Sequence, residues 1–419
     1  MPQPIAVTLG YEEEFFLIEE GSLHPTLQSL DCLRKLYWRN PLACRPRLAS
    51  NFARGNDRKA CWMSSVEVST GVQTSVDGLL HELLEWRRKI ARASRGSYCV
   101  PIGAPLELDC PSNTAGSHIH VGVAASERDR VFANLGYFLP VFAVAALNSP
   151  SCALDAPKSY RMGCNFASGE LREDREYRFQ DLIVSKRLGT VEIRALDPVP
   201  DMDRLRHILE GVVAVAKHVE PLPFDRARYN AERPSWVREG MNAVVERLWL
   251  ELQAIYPFPK ALLTSTQGDE LAEVARAESP EAAYRLVDSI WRRDTGVEPA
   301  LAPHSRLKSL TGVLGYYAVQ LPWMAYKGYK EWHGRTPDLA GGAATPSAPG
   351  GAEGSHASVP DSAPSTPEGV EITEADPSAA PAVEGDTRVE SSGKAHALVP
   401  VRATPGGAEG SKPVAKEAK

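Results

Sequence analysis

One run constrains what this chain can fold into more than any other: Gly189 to Asp197, GTVEIRALD. Its β-branched residues mark it as a short strand. With a side-chain period of two, Glu192 and Arg194 fall on one face, and Val191, Ile193 and Ala195 on the other. An acid and a base on the face opposite an apolar one make a poor packing surface and a good site. Taken singly, the same pattern also describes a surface ion pair on a half-solvated strand. Three other runs repeat it.

The run from residue 5 to 18, IAVTLGYEEEFFLI, puts Glu12 and Glu14 on one face and Glu13 on the other with Phe15 and Leu17. Read blandly, it is a solvated edge strand. Read functionally, the same-face carboxylates need a divalent cation to coexist. Mg²⁺ suits carboxylate oxygens and keeps waters that substrate phosphates can replace. SSVEVSTGV, Ser64 to Val72, turns Val66 and Val68 one way and Glu67 the other, with Ser65 and Ser69. GSHIHVGV, Gly116 to Val123, gives His118 and His120 one face and Ile119 and Val121 the other. Paired imidazoles can ligate a metal or donate to phosphate. No GxxxxGK[ST], GxGxxG after a strand, or GxSxG occurs. Four glutamates on one polar face would repel by several kcal/mol unless cations neutralise them. That is the shape of a metal–nucleotide site on an antiparallel sheet.

The remaining sequence supplies helices. Amphipathic or apolar periodicity predicts them over Leu27–Trp38, Thr74–Arg95, Ser126–Leu147 (with Ser126 as N-cap), Asp201–Val219, Trp236–Tyr256, Pro280–Arg293 and Ser309–Trp332. Val131–Leu147 is the most apolar run, but it is short for a bilayer and holds Asn134 and Pro140, so it reads as a buried helix. Seven scattered cysteines without CxxC spacing suit free thiols in a reducing compartment. A net charge of −6 argues against nucleic acid as a partner. The N-terminus shows no basic or long apolar leader, and the expectation is a cytoplasmic protein with no membrane partner. From about residue 336 to 419, Ala, Gly, Pro, Ser and Glu dominate, and PGGAEGS occurs twice. The expected organisation is therefore a catalytic domain over 1–335 followed by a disordered tail over 336–419.

TLGYEEEFFLI, SSVEVST, GSHIHVGV, NSP…SYR and GTVEIRALD, in this order and spacing, resemble the type 2 glutamate–cysteine ligase or carboxylate–amine ligase family. The resemblance implies an α+β, glutamine-synthetase-like fold: a curved antiparallel sheet with helices on its outer face. It also implies an enzyme that uses ATP and Mg²⁺ to join a carboxylate, typically the γ-carboxylate of glutamate, to an amine such as cysteine. By position it makes Glu12, Glu14, Glu67 and Glu192 metal ligands, and places His118 or His120 near the nucleotide phosphates. Arg194 would meet the transferring phosphoryl group, and Arg161, beside Tyr160, the amino-acid substrate. The implied partners are small molecules, and the implied assembly is a homo-oligomer. Two departures stand out: Ala60 occupies the place of a further family glutamate, and SCALDAPKSYR replaces a glycine-rich loop. They keep open a catalytically impaired nucleotide-binding homologue. A transition-metal hydrolase built on His118, His120 and Glu67 is a third alternative.

Overall fold

A computed structural model describes residues 6–21, 27–40, 46–49, 65–94, 96–106, 114–150, 157–164, 167–298, 310–318 and 321. In chain order its elements are β1 (Thr8–Glu19), α1 (Gln28–Arg39), β2 (Arg47–Ala49), β3 (Ser65–Ser69), α2 (Val76–Ala93), β4 (Ser97–Val100), β5 (Ser117–Gly122), α3 (Arg128–Ala145), α4 (Tyr160–Cys164), β6 (Leu182–Val184) and β7 (Val191–Ile193). The helices α5 (Met202–Lys217), α6 (Arg226–Glu239), α7 (Ala243–Leu252), α8 (Ala261–Thr264), α9 (Gln267–Ala277) and α10 (Pro280–Arg292) follow. All described residues belong to one unit within Met1–Ala340. The expected tail, 336–419, and Ala60 lie outside the described residues.

The strands form one curved antiparallel sheet in the order β2-β3-β1-β5-β7-β6, with β4 added along the second half of β1. The fold is α+β, with helices packed on the outer face. β1 organises it. Its 12 residues pair with β5 over Thr8–Glu13, with β3 over Glu12–Phe15 and with β4 over Phe16–Glu19. The alternate residues Leu9, Tyr11, Phe15 and Leu17 are buried with Val66, Val68, Ile119, Val121, Val191 and Ile193. Those side chains pack on α2 through Leu79, Leu83 and Ile90, on α3 through Leu135, Phe138 and Phe142, and on α5 through Leu205, Leu209 and Val212. Burying a side chain of this size contributes about 1.5–3 kcal/mol.

Glu13 points into this apolar side and is held by the buried Arg87, which also donates to the Val199 and Pro200 carbonyls at 2.9 and 2.7 Å. Trp291 Nε1 donates to the same carboxylate at 3.3 Å. On the other face, the parity of Glu12 and Glu14 continues into Phe16 and Ile18. These residues are buried in a second cluster with Tyr98 and Val100 of β4 and Tyr284 and Val287 of α10. Thus β4 and α10 close the polar face beyond Glu14.

Local chemistry explains most helix boundaries. Ser75 caps α2, accepting from Gly78 N, and Asp201 caps α5, accepting from the Asp203 and Arg204 amides. Ser279 caps α10, which has proline at its start. Two expectations are corrected. Ser126 is not the N-cap of α3, because Ala125–Glu127 forms a 3₁₀ turn that carries the chain into the helix. The helix expected over Trp236–Tyr256 is two helices, separated at Gly240, whose φ of 74° is a left-handed value that terminates α6. The apolar α3, with Pro140 inside it, is a buried helix. Among the described residues, no helix is long and apolar enough to cross a membrane.

Candidate active site

The sheet register brings the ionisable residues of four strands together. Glu14 faces Glu67 across β1 and β3, and Glu12 faces His118 across β1 and β5. His120 faces Glu192 across β5 and β7, and Arg47 of β2 faces Glu67. In an antiparallel ladder, direct cross-strand partners share a face, so the whole set lies on the side turned away from α2, α3 and α5. Arg194 extends beyond β7 and donates to Glu192. Its backbone is fixed from both sides: its N–H donates to Asp181 O at 2.8 Å, and its carbonyl accepts from Arg161 at 2.9 Å. Asp181 is anchored in turn by Arg233 and by the Tyr229 hydroxyl.

The electrostatics differ sharply along the face. Burial would raise the Glu12 carboxyl. The hydrogen bond from His118 (Nδ1 at 3.1 Å), with His120 close by at 3.7 Å, outweighs it and holds Glu12 well below the carboxylate range. Burial, and then Arg194, lower the His118 imidazole to about 4, so it is neutral and its Nδ1–H donates to Glu12. His120 shares a 3.1 Å hydrogen bond with the Thr190 hydroxyl and lies 3.7 Å from both Glu12 and Glu192. Burial, and then Glu67, raise Glu14 to about 7, although Gly116 N–H donates to it at 2.9 Å. Burial, and then Glu12, also raise Glu67. The Glu14–Glu67 pair is therefore where burial and like charge together outweigh the nearby arginines.

Beside the first residues of β1 the face opens into a cavity of about 780 Å³. Glu12 and His120 reach its wall, and three cations that sequence reasoning missed line it: Arg47, Arg128 and Arg187. They come from β2, the start of α3 and the β6–β7 turn, so no single motif contains them.

No protein-family model matches the chain. A protein of Saccharopolyspora erythraea, named as a candidate glutamate–cysteine ligase 2-1, is 24% identical over 273 residues, which is 52% of this chain and 68% of that protein. The chain is similar to the carboxylate–amine ligases. Among solved structures, a bifunctional glutathione synthetase from Pasteurella multocida is 11% identical with a TM-score of 0.48, covering 69% of this chain. This chain spans about half of that enzyme's length, 52%. A glutamate–cysteine ligase from Francisella tularensis, in complex with AMP, is 11% identical with a TM-score of 0.45, covering 77% of this chain and 94% of its own.

Of the residues the ligase resemblance points to, Glu12, Glu14, Glu67, His118, His120, Glu192 and Arg194 share the polar face described above. Arg161 does not stand free on it. It is 1% exposed on α4, and its guanidinium donates to the carbonyls of Arg194, Ala195 and Leu196. These donors are committed to the backbone, so Arg161 holds the chain at Arg194 in place. Tyr160 opens the same helix, its N–H donating to Ser149 O at 2.8 Å.

The donor set fits Mg²⁺ in kind: hard carboxylate oxygens, two of them raised by burial and then by a neighbouring carboxylate, a charge that a cation would offset. Among the described residues, no three His, Cys, Asp or Glu side chains converge as ligands of one ion. Glu12 is turned to His118 and Glu192 to Arg194, so ligation requires these rotamers to turn. The hydrolase set is not assembled either. β1 separates Glu67 on β3 from His118 and His120 on β5, two strand spacings or about 9.5 Å.

Proposed function

We propose that this chain is an ATP- and Mg²⁺-dependent ligase that joins an amino-acid carboxylate, the γ-carboxylate of glutamate, to an amine such as cysteine. The observation that supports this reading is the register-locked convergence of Glu12, Glu14, Glu67, His118, His120 and Glu192, with Arg194 beside them, on one face of an antiparallel sheet. Glu14 and Glu67, with Glu12 beside them and Glu192 farther along the same face, would hold Mg²⁺, which supplies charge neutralisation at the phosphate oxygens.

The chain's own groups would divide the remaining work. A carboxylate oxygen of the acid attacks the γ-phosphorus of ATP and ADP leaves, giving an acyl phosphate. The amine nitrogen then attacks the acyl carbon, inorganic phosphate leaves, and the nitrogen gives up a proton. Arg194, its backbone pinned by Asp181 and Arg161, presents a fixed guanidinium to the charge that develops on the transferring phosphoryl group. One such donor is typically worth about 3–4 kcal/mol of barrier. His118, neutral and tied to Glu12, offers an imidazole that adds no charge of its own.

The test is ADP release from ATP with glutamate and a panel of amines, comparing wild type with Glu192→Ala and Arg194→Ala. The reading expects amine-dependent ADP release that collapses in both variants. Unchanged turnover in both overturns it.

A further inference from the structure

The carboxylate that ends the run from Gly189 to Asp197 is fully buried three residues after Arg194, and its hydrogen bonds reach no residue of the polar face. What it holds is the start of α4. Its Oδ2 accepts from Asn148 N–H at 2.9 Å, and its Oδ1 accepts from the Ser159 hydroxyl at 3.0 Å. The Ser159 oxygen in turn accepts from Met162 N–H at 3.0 Å, in the first turn of α4. Asn148 is itself pinned, its side-chain amide donating to the Pro101 and Pro198 carbonyls at 2.7 and 2.9 Å. Asp197 therefore ties the residues on either side of segment 149–158 to the chain just past β7.

From α4 the linkage returns to its origin. Arg161 donates to the carbonyls of Arg194, Ala195 and Leu196 at 2.9, 3.1 and 3.1 Å. Residues 194–197 thus supply both the acceptors for this guanidinium and the carboxylate that seats the helix carrying it. Charge joins the two halves as well. Burial works against the Arg161 cation, and Asp197 is the foremost group favouring it. Burial raises the Asp197 carboxyl to about 6 against the pull of Arg161, so it is ionised at pH 7.5.

We propose that Asp197 is a positioning residue for the phosphoryl-transfer step: through Ser159 and Arg161 it fixes where the Arg194 guanidinium stands. The assignment rests on the ligase reading above, which gives Arg194 its task, and adds the group that sets its position.

The experiment compares the full-length wild type with Asp197→Asn, Ser159→Ala and the double variant at pH 7.5, each confirmed folded by its melting transition. Asparagine keeps the size and removes the charge; alanine at 159 cuts only the link to α4. A group that positions a transition-state donor moves kcat rather than KM. Asp197→Asn should lower kcat for amine-dependent ADP release by about tenfold to a hundredfold, with KM for ATP within about threefold. Ser159→Ala should lower kcat in the same sense. The double variant should fall no further than Asp197→Asn, because the two residues act through one linkage.

The second readout needs no turnover. In NMR spectra the Arg161 guanidinium signal, identified by its loss in Arg161→Lys, should shift in both single variants. A signal indifferent to both substitutions overturns the proposal, as do kcat losses that multiply in the double variant or a change in KM alone. If Asp197→Asn fails to fold, Ser159→Ala decides by the same two readouts. A shifted signal with no wild-type turnover supports the linkage and overturns the ligase reading. Wild-type turnover with kcat unchanged in both single variants overturns the proposal and leaves that reading standing.

Discussion

Glu14 and Glu67 are direct cross-strand partners, two carboxylates facing each other between β1 and β3. Like charges so placed destabilise a sheet. Burial, and then Glu67, raise Glu14 from 4.5 to about 7 in the fold. Its contribution to stability is therefore complete below pH 4.5 and is lost as pH rises through 7. Glu14→Gln keeps an acceptor for the Gly116 amide and removes the ionisation. In urea melts without divalent cations, the variant should gain on wild type across pH 4.5–7, by on the order of 2–3 kcal/mol at the upper end. A difference that does not change with pH would contradict this.

The same crowding makes the fold responsive to cations. Mg²⁺ bound by the folded chain alone should raise the melting temperature at pH 7.5, by an amount set by its occupancy, about 2.7 kcal/mol at a hundred times its dissociation constant. The increase should shrink in Glu14→Gln and in Glu67→Gln, measured by calorimetric melting with and without Mg²⁺. An equal increase in all three proteins would place the cation elsewhere.

Much of this face was legible from alternation alone. β1, β3, β5 and β7 turn the expected residues the expected way, because a period of two leaves a strand with one apolar face only one way to pack. Alternation could not show where the polar face ends: Phe16 and Ile18 share the parity of Glu12 and Glu14 but are covered by β4 and α10, a tertiary fact. β2 (RLA) and β6 (LIV) carry no alternation of apolar and polar residues for a period to register. α6 starts ten residues before the expected helix, at Arg226 rather than Trp236; RARYNAERPSWVRE has no apolar stripe and contains Pro234, though Asp225 offered a cap. α9 was missed despite a capping box between Thr266 and Asp269 that its sequence does display. Arg47, Arg128 and Arg187 lie in unrelated local contexts, and only the fold brings them to one cavity.

On the helix side of β1, the Glu13–Arg87 pair is fully buried. Removing one partner leaves the other charged and unpaired in the core, so Glu13→Ala should cost about 3–5 kcal/mol in denaturant unfolding. A loss under about 1 kcal/mol would show that Arg87 is adequately held by the Val199 and Pro200 carbonyls alone.

Arg161 acts through position. A methyl group added at Gly116 would overlap its guanidinium, forcing it off the carbonyls of residues 194–196. Gly116→Ala should therefore shift Arg194 and lower turnover, with a misplacement near 1 Å costing about a hundredfold, while leaving ATP affinity within about threefold. Turnover equal to wild type in a folded Gly116→Ala protein would sever Arg161 from the chemistry.

The most direct measurement is a crystal structure of the full chain with a non-hydrolysable ATP analogue and Mg²⁺. The account predicts metal density on the face shared by Glu12, Glu14, Glu67 and Glu192, with the γ-phosphate within reach of Arg194. Metal and triphosphate bound away from that face, or carboxylates that stay turned to His118 and Arg194 with the analogue bound, would contradict it.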